Sequence, residues 1–293
     1  MITSQGILKS CAFAKLNLVL RVTGRRSDGY HLIDSLVTFC AFGDSIEISM
    51  NTIKDDIIVE GPFCTEIKST NIISDTLTIF RKATSWYHPL TIKLHKQIPV
   101  SAGLGGGSAD AATTLRLLQL LSPISPLDPI ENTKMALLLG ADVPVCFIGR
   151  TARVQGIGEI LTPIEKTPAL PVLLVNPGIE LTTKEVFTTF DSDYSKPLSL
   201  PRTGENFGAT DLLDFLGRRP ENDLMAPAIK LAPKIGHVLE ELESLPGVVS
   251  VGMSGSGATC FALFCPNDKI NVTLSVNQIK QTGWWFESTF LNS

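Results

Sequence analysis

Between positions 11 and 22 the chain alternates without a break. Ala12, Ala14, Leu16, Leu18, Leu20 and Val22 fall on one side, and Phe13, Lys15, Asn17, Val19 and Arg21 on the other. A period of two predicts a strand whose first set faces a core. Positions 36–42 and 46–50 read as two more strands joined near Gly43-Asp44, and 57–60 as a third. Over 71–86 the spacing changes to three and four, with Ile72, Leu77, Ile79, Phe80 and Ala83, which predicts a helix. Leu90, Ile92 and Leu94 then alternate with Thr91, Lys93 and His95, as in a half-buried strand.

That strand leads into Pro-Val-Ser-Ala-Gly-Leu-Gly-Gly-Gly-Ser at 99–108, followed by a helical pattern to 121 in which Ala111, Leu115 and Leu118 share a face. Ser108 is the expected N-cap and Asp110 the acid of the first turn. Strand, Gly-rich loop and helix N-terminus make an anion site, because glycines let the backbone approach a ligand and the free amides favour negative charge. The loop is not a Walker A loop, since no Gly-Lys-Ser/Thr closes it, and Ser108 breaks a Gly-x-Gly-x-x-Gly. A plain Gly-rich turn is the competing reading. Four glycines in the five positions 103–107, with Ser108 after them, favour phosphate.

Pro123, Pro126 and Pro129 mark a connection, and 131–139 reads as a helix stopped by Gly140. Asp142 follows, ahead of an apolar stretch at 143–147 that reads as a strand. Two readings stand for it: an acid capping local amides, or a catalytic carboxylate with Lys15 as its partner. Positions 151–155 and 157–161 predict a hairpin around Gly156, 168–171 a junction, and 172–175 a strand. Thr182 and Thr183 precede a short helix at 184–190, and 191–208 reads as a long loop. A helix is expected over 224–245, interrupted by Pro227 and Pro233. Two apolar strands within 247–264 flank Gly252-Met253-Ser254-Gly255-Ser256-Gly257, which is either a tight hairpin or a second loop with amides facing a phosphate. Positions 267–281 look helical, and 283–286 close the sheet.

Lys15 is either a solvated lysine or, beside Phe13 and Val19, a half-enclosed cation for a phosphate. The loop 23–31 carries Arg25, Arg26, the turn pair Asp28-Gly29, then Tyr30 and His31. It reads equally as an exposed basic hairpin or as a recognition loop, with Tyr30 stacking on a flat ring and His31 hydrogen-bonding it. Composition narrows the field: 293 residues, 44% hydrophobic and 18% charged, describe a folded chain of one or two domains. A formal charge of −4 argues against nucleic-acid or anionic-membrane binding. Six scattered cysteines without a Cys-x-x-Cys pair read as reduced thiols. The first residues resemble neither a signal nor a transit peptide, and no apolar run reaches bilayer length, so a cytoplasmic location is expected.

Three motifs in this order, 14–18, 99–112 and 253–258, resemble the signature motifs of the GHMP kinases (galactokinase, homoserine, mevalonate and phosphomevalonate kinases). The segments 24–31, 139–144 and 156–159 are similar to the branch acting on a diphosphocytidyl polyol. Ser101 and Ala109 are small departures, and 191–208 matches no pattern. The resemblance implies an α+β chain with the two-domain α/β GHMP kinase fold. It places the active site in a cleft between an N-terminal domain, 1–165, with the ATP phosphate loop, and a C-terminal domain, 166–293. It implies transfer of the ATP γ-phosphoryl group to the 2-hydroxyl of a diphosphocytidyl-methylerythritol in the non-mevalonate isoprenoid route. By residue, it makes Asp142 the catalytic acid and Lys15 the catalytic lysine, keeping Asp142 ionised. It puts ATP on Pro99, Val100, Ser101, Ala102, Gly103, Leu104, Gly105, Gly106, Gly107, Ser108 and Ala109, with Asn71 and Lys96 near adenine. It puts cytosine on Tyr30, His31 and Phe187, and the diphosphate or polyol on Asn17, Thr182 and Thr183. Mg²⁺ is expected with ATP, with Ser108 a candidate contact and the metal ligands otherwise unknown. The expected partner is a small molecule with a cytidine diphosphate group, without nucleic acid or membrane, and the chain is a monomer or homodimer. Another GHMP kinase, for mevalonate or homoserine, and a non-catalytic binding member are the alternatives.

Overall fold

A computed structural model describes residues 7–51, 53–67, 71–124, 127–200, 208–266, 279 and 283–292. In chain order the elements are β1 (Leu8–Arg25), β2 (His31–Met50), β3 (Asp56–Glu60), α1 (Ile72–Thr84), β4 (Leu90–His95), α2 (Gly106–Leu121), α3 (Pro129–Leu139) and α4 (Val143–Ile148). They continue as β5 (Ala152–Gly156), β6 (Ile160–Pro163), β7 (Pro171–Asn176), α5 (Thr183–Thr189), α6 (Ala209–Leu216), α7 (Met225–Leu231), α8 (Lys234–Ser244), β8 (Val248–Met253), β9 (Cys260–Phe264) and β10 (Trp285–Asn292). The chain divides into two compact units that are not consecutive stretches. Unit 1 comprises the described residues of Met1–Ala14, Phe42–Val100 and Gly105–Gly149. Unit 2 comprises those of Lys15–Ala41, Ser101–Leu104 and Arg150–Ser293.

In unit 1, β3 lies parallel to β4, and β4 pairs antiparallel with the second half of β2. The register sets Ile46 opposite Leu94 and Ile48 opposite Ile92, so the alternating residues meet in one buried layer. Helix α1 opens where the Asn71 side chain accepts a hydrogen bond from the Ile73 amide (3.0 Å), and it buries Ile73, Leu77 and Phe80. Helix α2 is buried on nearly every side, Ala109 to Leu115 without exception, so its buried face is wider than a single apolar stripe and takes in Asp110, Thr113 and Thr114.

In unit 2, an antiparallel sheet runs in the order β2-β10-β7-β9-β8, and β5 pairs with the first half of β2 and with β6. Leu173 and Val175 of β7, Val238, Leu239 and Leu242 of α8, and Val251, Ala262 and Phe264 of the last strands share one core. All six β7 positions are buried, which is why its sequence is apolar throughout up to Asn176, whose amide is hydrogen-bonded to Thr259.

Several expectations change. Strand β2 is continuous through Gly43-Asp44, where two strands were expected. A side chain at Gly43 would meet the Ala12 backbone at 2.2 Å, so that glycine permits a close strand approach and not a turn. Helix α2 begins at Gly106 with Gly105 as its N-cap, so Ser108 is not the cap and Asp110 lies beyond the first turn. Stretch 143–147 is helical (α4) and not a strand, because Pro144 sits comfortably at a helix start. The expected helix 224–245 is two helices, broken at Ala232-Pro233, and α6 was not anticipated. Pro126, 201–207 of the long loop and all of the 267–281 helix except 279 lie outside the described residues.

Candidate active site

The Gly-rich loop has a demanding backbone. Ser101, Gly103 and Gly105 have φ of 54°, 76° and 61°. A Cβ on Gly103 would stand 2.6 Å from the carbonyl oxygens of Ser254 and Gly257, so only glycine fits there. The helical ladder starts with the Ala109 amide donating to the Gly105 carbonyl (2.8 Å), which leaves the amides ahead of it outside the helix's own bonding. Gly106 is tight, since its Cβ would meet Lys96 Nζ at 2.9 Å. Gly107 is different: it is exposed, and among the described residues no atom beyond its chain neighbours and its own helix backbone lies within 4 Å of an added Cβ. Glycine inside a helix costs roughly 0.5–1 kcal/mol relative to alanine, and packing does not explain it here.

Lys15 is buried, 4% exposed, which removes the solvated-lysine reading. Its Nζ donates to Asn17 Oδ1 (2.7 Å), as expected for neighbours on one strand face. Asn17 Nδ2 donates to Ser35 Oγ (2.8 Å), and the Asn17 amide donates to Ser254 Oγ (3.1 Å). Ser254 Oγ in turn donates to the Gly103 carbonyl (2.8 Å), and the Lys15 amide donates to Leu104 O (2.8 Å). One hydrogen-bonded chain thus joins the first motif, residues 101–104 and the 254–257 loop within unit 2.

Lys96 does not present its ammonium to solvent: it is 3% exposed and paired with Asp44 and with Asp110 (2.8 Å) in unit 1. Asp44 also accepts the amides of Gln97 and Ile98 (2.5 and 2.8 Å). Burial, with the Asp44 charge, pushes the Asp110 carboxyl up to about 7, against the pull of Lys96. Asp142 is the N-cap residue of α4, half-buried, and its side chain makes no capping hydrogen bond to that helix.

In unit 2, His31 stacks on Phe187 with ring centroids 5.0 Å apart, and Phe190 meets His31 edge-on at 5.9 Å. Burial, then the nearby Arg25 charge, lowers the His31 pKa below its ordinary value and favours a neutral ring. Tyr30 is 61% exposed at the tip of the same loop. Thr182 caps α5 in a reciprocal box with Glu185, and the hydroxyls of Thr183 and Ser256 lie 3.1 Å apart. Among the described residues no group of three or more His, Cys, Asp or Glu side chains is placed to hold a metal ion.

Residues 71–150 match the family model described as GHMP kinases N terminal domain, and 211–278 match GHMP kinases C terminal. A protein of Chelativorans sp. strain BNC1 named 4-diphosphocytidyl-2-C-methyl-D-erythritol kinase is 40% identical, covering 96% of this chain and 95% of that one. The chain belongs to the GHMP kinase family. A second relative of the same name, from Paracoccus denitrificans, is 41% identical over 97% of this chain and 96% of its own. A crystal structure of 4-(cytidine 5'-diphospho)-2C-methyl-D-erythritol kinase superposes with a TM-score of 0.81 at 29% identity, covering 98% of this chain and all of that one.

This GHMP kinase also uses residues its sequence did not flag. Ser35 receives Asn17, and Asn222 Nδ2 donates to the carbonyls of Met253 (2.7 Å) and Gly255 (2.9 Å), fixing the 254–257 loop. Asn176 Nδ2 donates to Thr259 Oγ1 (2.9 Å) at the far end of that loop. A lone Ser or Asn outside a motif gives no signal of such a role.

Proposed function

We propose that the chain transfers the γ-phosphoryl group of ATP to the 2-hydroxyl of 4-diphosphocytidyl-2-C-methyl-D-erythritol, giving the 2-phosphate and ADP, as a step of the non-mevalonate isoprenoid route in the cytoplasm. The names of its relatives support the acceptor. The observation that carries the phosphate site is Gly107, a helical glycine over open space at the start of α2. Loop amides at 103–108 hold the ATP phosphates, helped by the α2 dipole. Ser108 would be a candidate contact for the Mg²⁺ of bound ATP, which would supply neutralisation of the phosphate charge. The acceptor oxygen forms its bond to the γ-phosphorus as the bridge to the β-phosphate breaks and ADP leaves. Asp142 takes the hydroxyl proton, a role worth about 10²–10⁴-fold. Lys15, held by Asn17, steadies the developing charge. Tyr30, His31 and Phe187 hold cytosine, and Asn17, Thr182 and Thr183 the diphosphate or polyol. Adenine contacts are not assigned to Lys96, whose ammonium is committed to Asp44 and Asp110. We put the boundary of the two family domains at 165/166, a reading that the order of the matched segments, 71–150 and 211–278, supports.

The test is ADP release with ATP and Mg²⁺, offering the cytidine acceptor, mevalonate and homoserine in turn, with Asp142→Asn alongside. Turnover of the cytidine acceptor alone, reduced by about 10²–10⁴-fold in the variant, is the expected result. Turnover of another acceptor in its place overturns the roles given to Tyr30 and His31.

A further inference from the structure

Helix α4 is six residues long, too short to be stable by itself. At its start the Asp142 carbonyl accepts the Cys146 amide (3.2 Å) and Pro144 stiffens the first turn. At its end the carbonyls of Cys146 and Phe147 have no helical amide ahead of them. Both accept from a single nitrogen, Arg116 Nη1, at 2.8 and 2.9 Å. Arg116 belongs to α2, ten residues and about 15 Å along that helix from Gly106. Its Nη2 donates to Thr113 Oγ1 (2.8 Å), one turn back on the same helix, which fixes the guanidinium plane. Gly149, the left-handed C-cap of α4, lies against the guanidinium: a Cβ there would stand 3.5 Å from Nη1. A cation at a helix C-terminus also suits the helix dipole.

We infer that Arg116 is a positioning residue for phosphoryl transfer: by fastening the last turn of α4 to α2, it sets where Asp142 stands at the other end of α4. The inference rests on the role proposed above for Asp142. Arg116 touches no reacting atom. It stays charged although burial lowers its pKa from the ordinary value. Lysine cannot replace it fully, because one ammonium does not reproduce a planar fork spanning two carbonyls and a hydroxyl.

The experiment compares full-length wild type, Arg116→Met and Arg116→Lys by kcat, KM for both substrates, and amide hydrogen exchange. In the Met variant kcat falls by about tenfold or more, as expected for a displaced proton acceptor. Both KM values stay within about threefold, because ground-state binding is untouched. The amides of 143 and 145–147 exchange faster, while those of 172–175 in unit 2 do not change. The Lys variant falls between the two. A Met variant that keeps kcat within about twofold, or one that raises KM with kcat intact, overturns the inference. If the Met variant does not fold, the Lys variant decides, and wild-type kcat in it overturns the inference. If the wild type turns over no cytidine acceptor, the proposed function fails by itself. The exchange comparison then decides, and unchanged protection at 143 and 145–147 in the Met variant overturns the clamp.

Discussion

Gly107 and Gly103 are both glycines of one loop, yet they are glycine for opposite reasons. Gly103 is forced by the protein, since its Cβ would strike two carbonyl oxygens. Gly107 is not, and its open surroundings leave room for something the chain itself does not supply. Gly107→Ala should therefore raise helix stability by roughly 0.5–1 kcal/mol. The same change should lower kcat/KM for ATP on the order of tenfold, which is about 1.4 kcal/mol. Thermal melts and initial rates on one preparation check both, and an alanine variant that is stabilised with full ATP use would remove the phosphate from Gly107. At this scale the sequence was informative where chemistry is concentrated. Alternation put Lys15 and Asn17 on one face, and they bond. It left the burial of Lys15 undecided, because burial of a cation depends on partners such as Asn17 and Ser35, and Ser35 belongs to another strand. Lys96 was legible as a residue near the loop but not as a buried ion, since Asp44 lies 52 positions away along the chain.

The elements show where periodicity succeeds and where it fails. Strand β4 and helix α1 follow their alternating and helical spacings closely, and the proline break divides α7 from α8. Stretch 143–147 defeated the pattern because a short apolar run reads alike as strand or buried helix. Gly43 defeated it because a glycine that looks like a turn instead lets β2 cross close to β1. Helix α2 carries a consequence of its own burial. Asp110 faces Lys96 and Asp44, with Cys11 of β1 also near, its thiol pushed up to about 11 by burial and both carboxylates. With its carboxyl raised to about 7 from 3.8, folded Asp110 keeps a proton that the unfolded chain has released. Its contribution to stability is therefore lost as pH rises from about 4 to 7. Asp110→Asn should lack that slope, so its melting temperature should gain on wild type across this window. A constant difference between the two would put the ionisation elsewhere.

For the molecule as a whole, what a linear reading could not reveal is that neither compact unit is a continuous piece of chain. The two family segments, 71–150 and 211–278, follow one another along the chain, but unit 2 also needs Lys15–Ala41 and Ser101–Leu104. A fragment of 166–293 lacks the β2 and β5 strands of its own sheet, leaving β10 without a neighbour on one side. Expressed alone, it should show no cooperative melt and little dispersion in an amide proton spectrum. A well-dispersed, cooperatively melting fragment would mean that the sheet is complete without β2. Net charge was legible from the start, and at −4 it leaves the holding of a polyanion to local groups.

The Ser254 hydroxyl accepts a hydrogen bond from the Asn17 amide and donates one to the Gly103 carbonyl. Anyone transplanting the loop 101–108 into another scaffold to confer nucleotide use would therefore be moving one third of a device. The graft would need the 254–257 turn beneath it and an Asn17 equivalent beside it. Exchanging the turn without its Ser254 hydroxyl would leave the Asn17 amide and the Gly103 carbonyl without the partner it supplies to both.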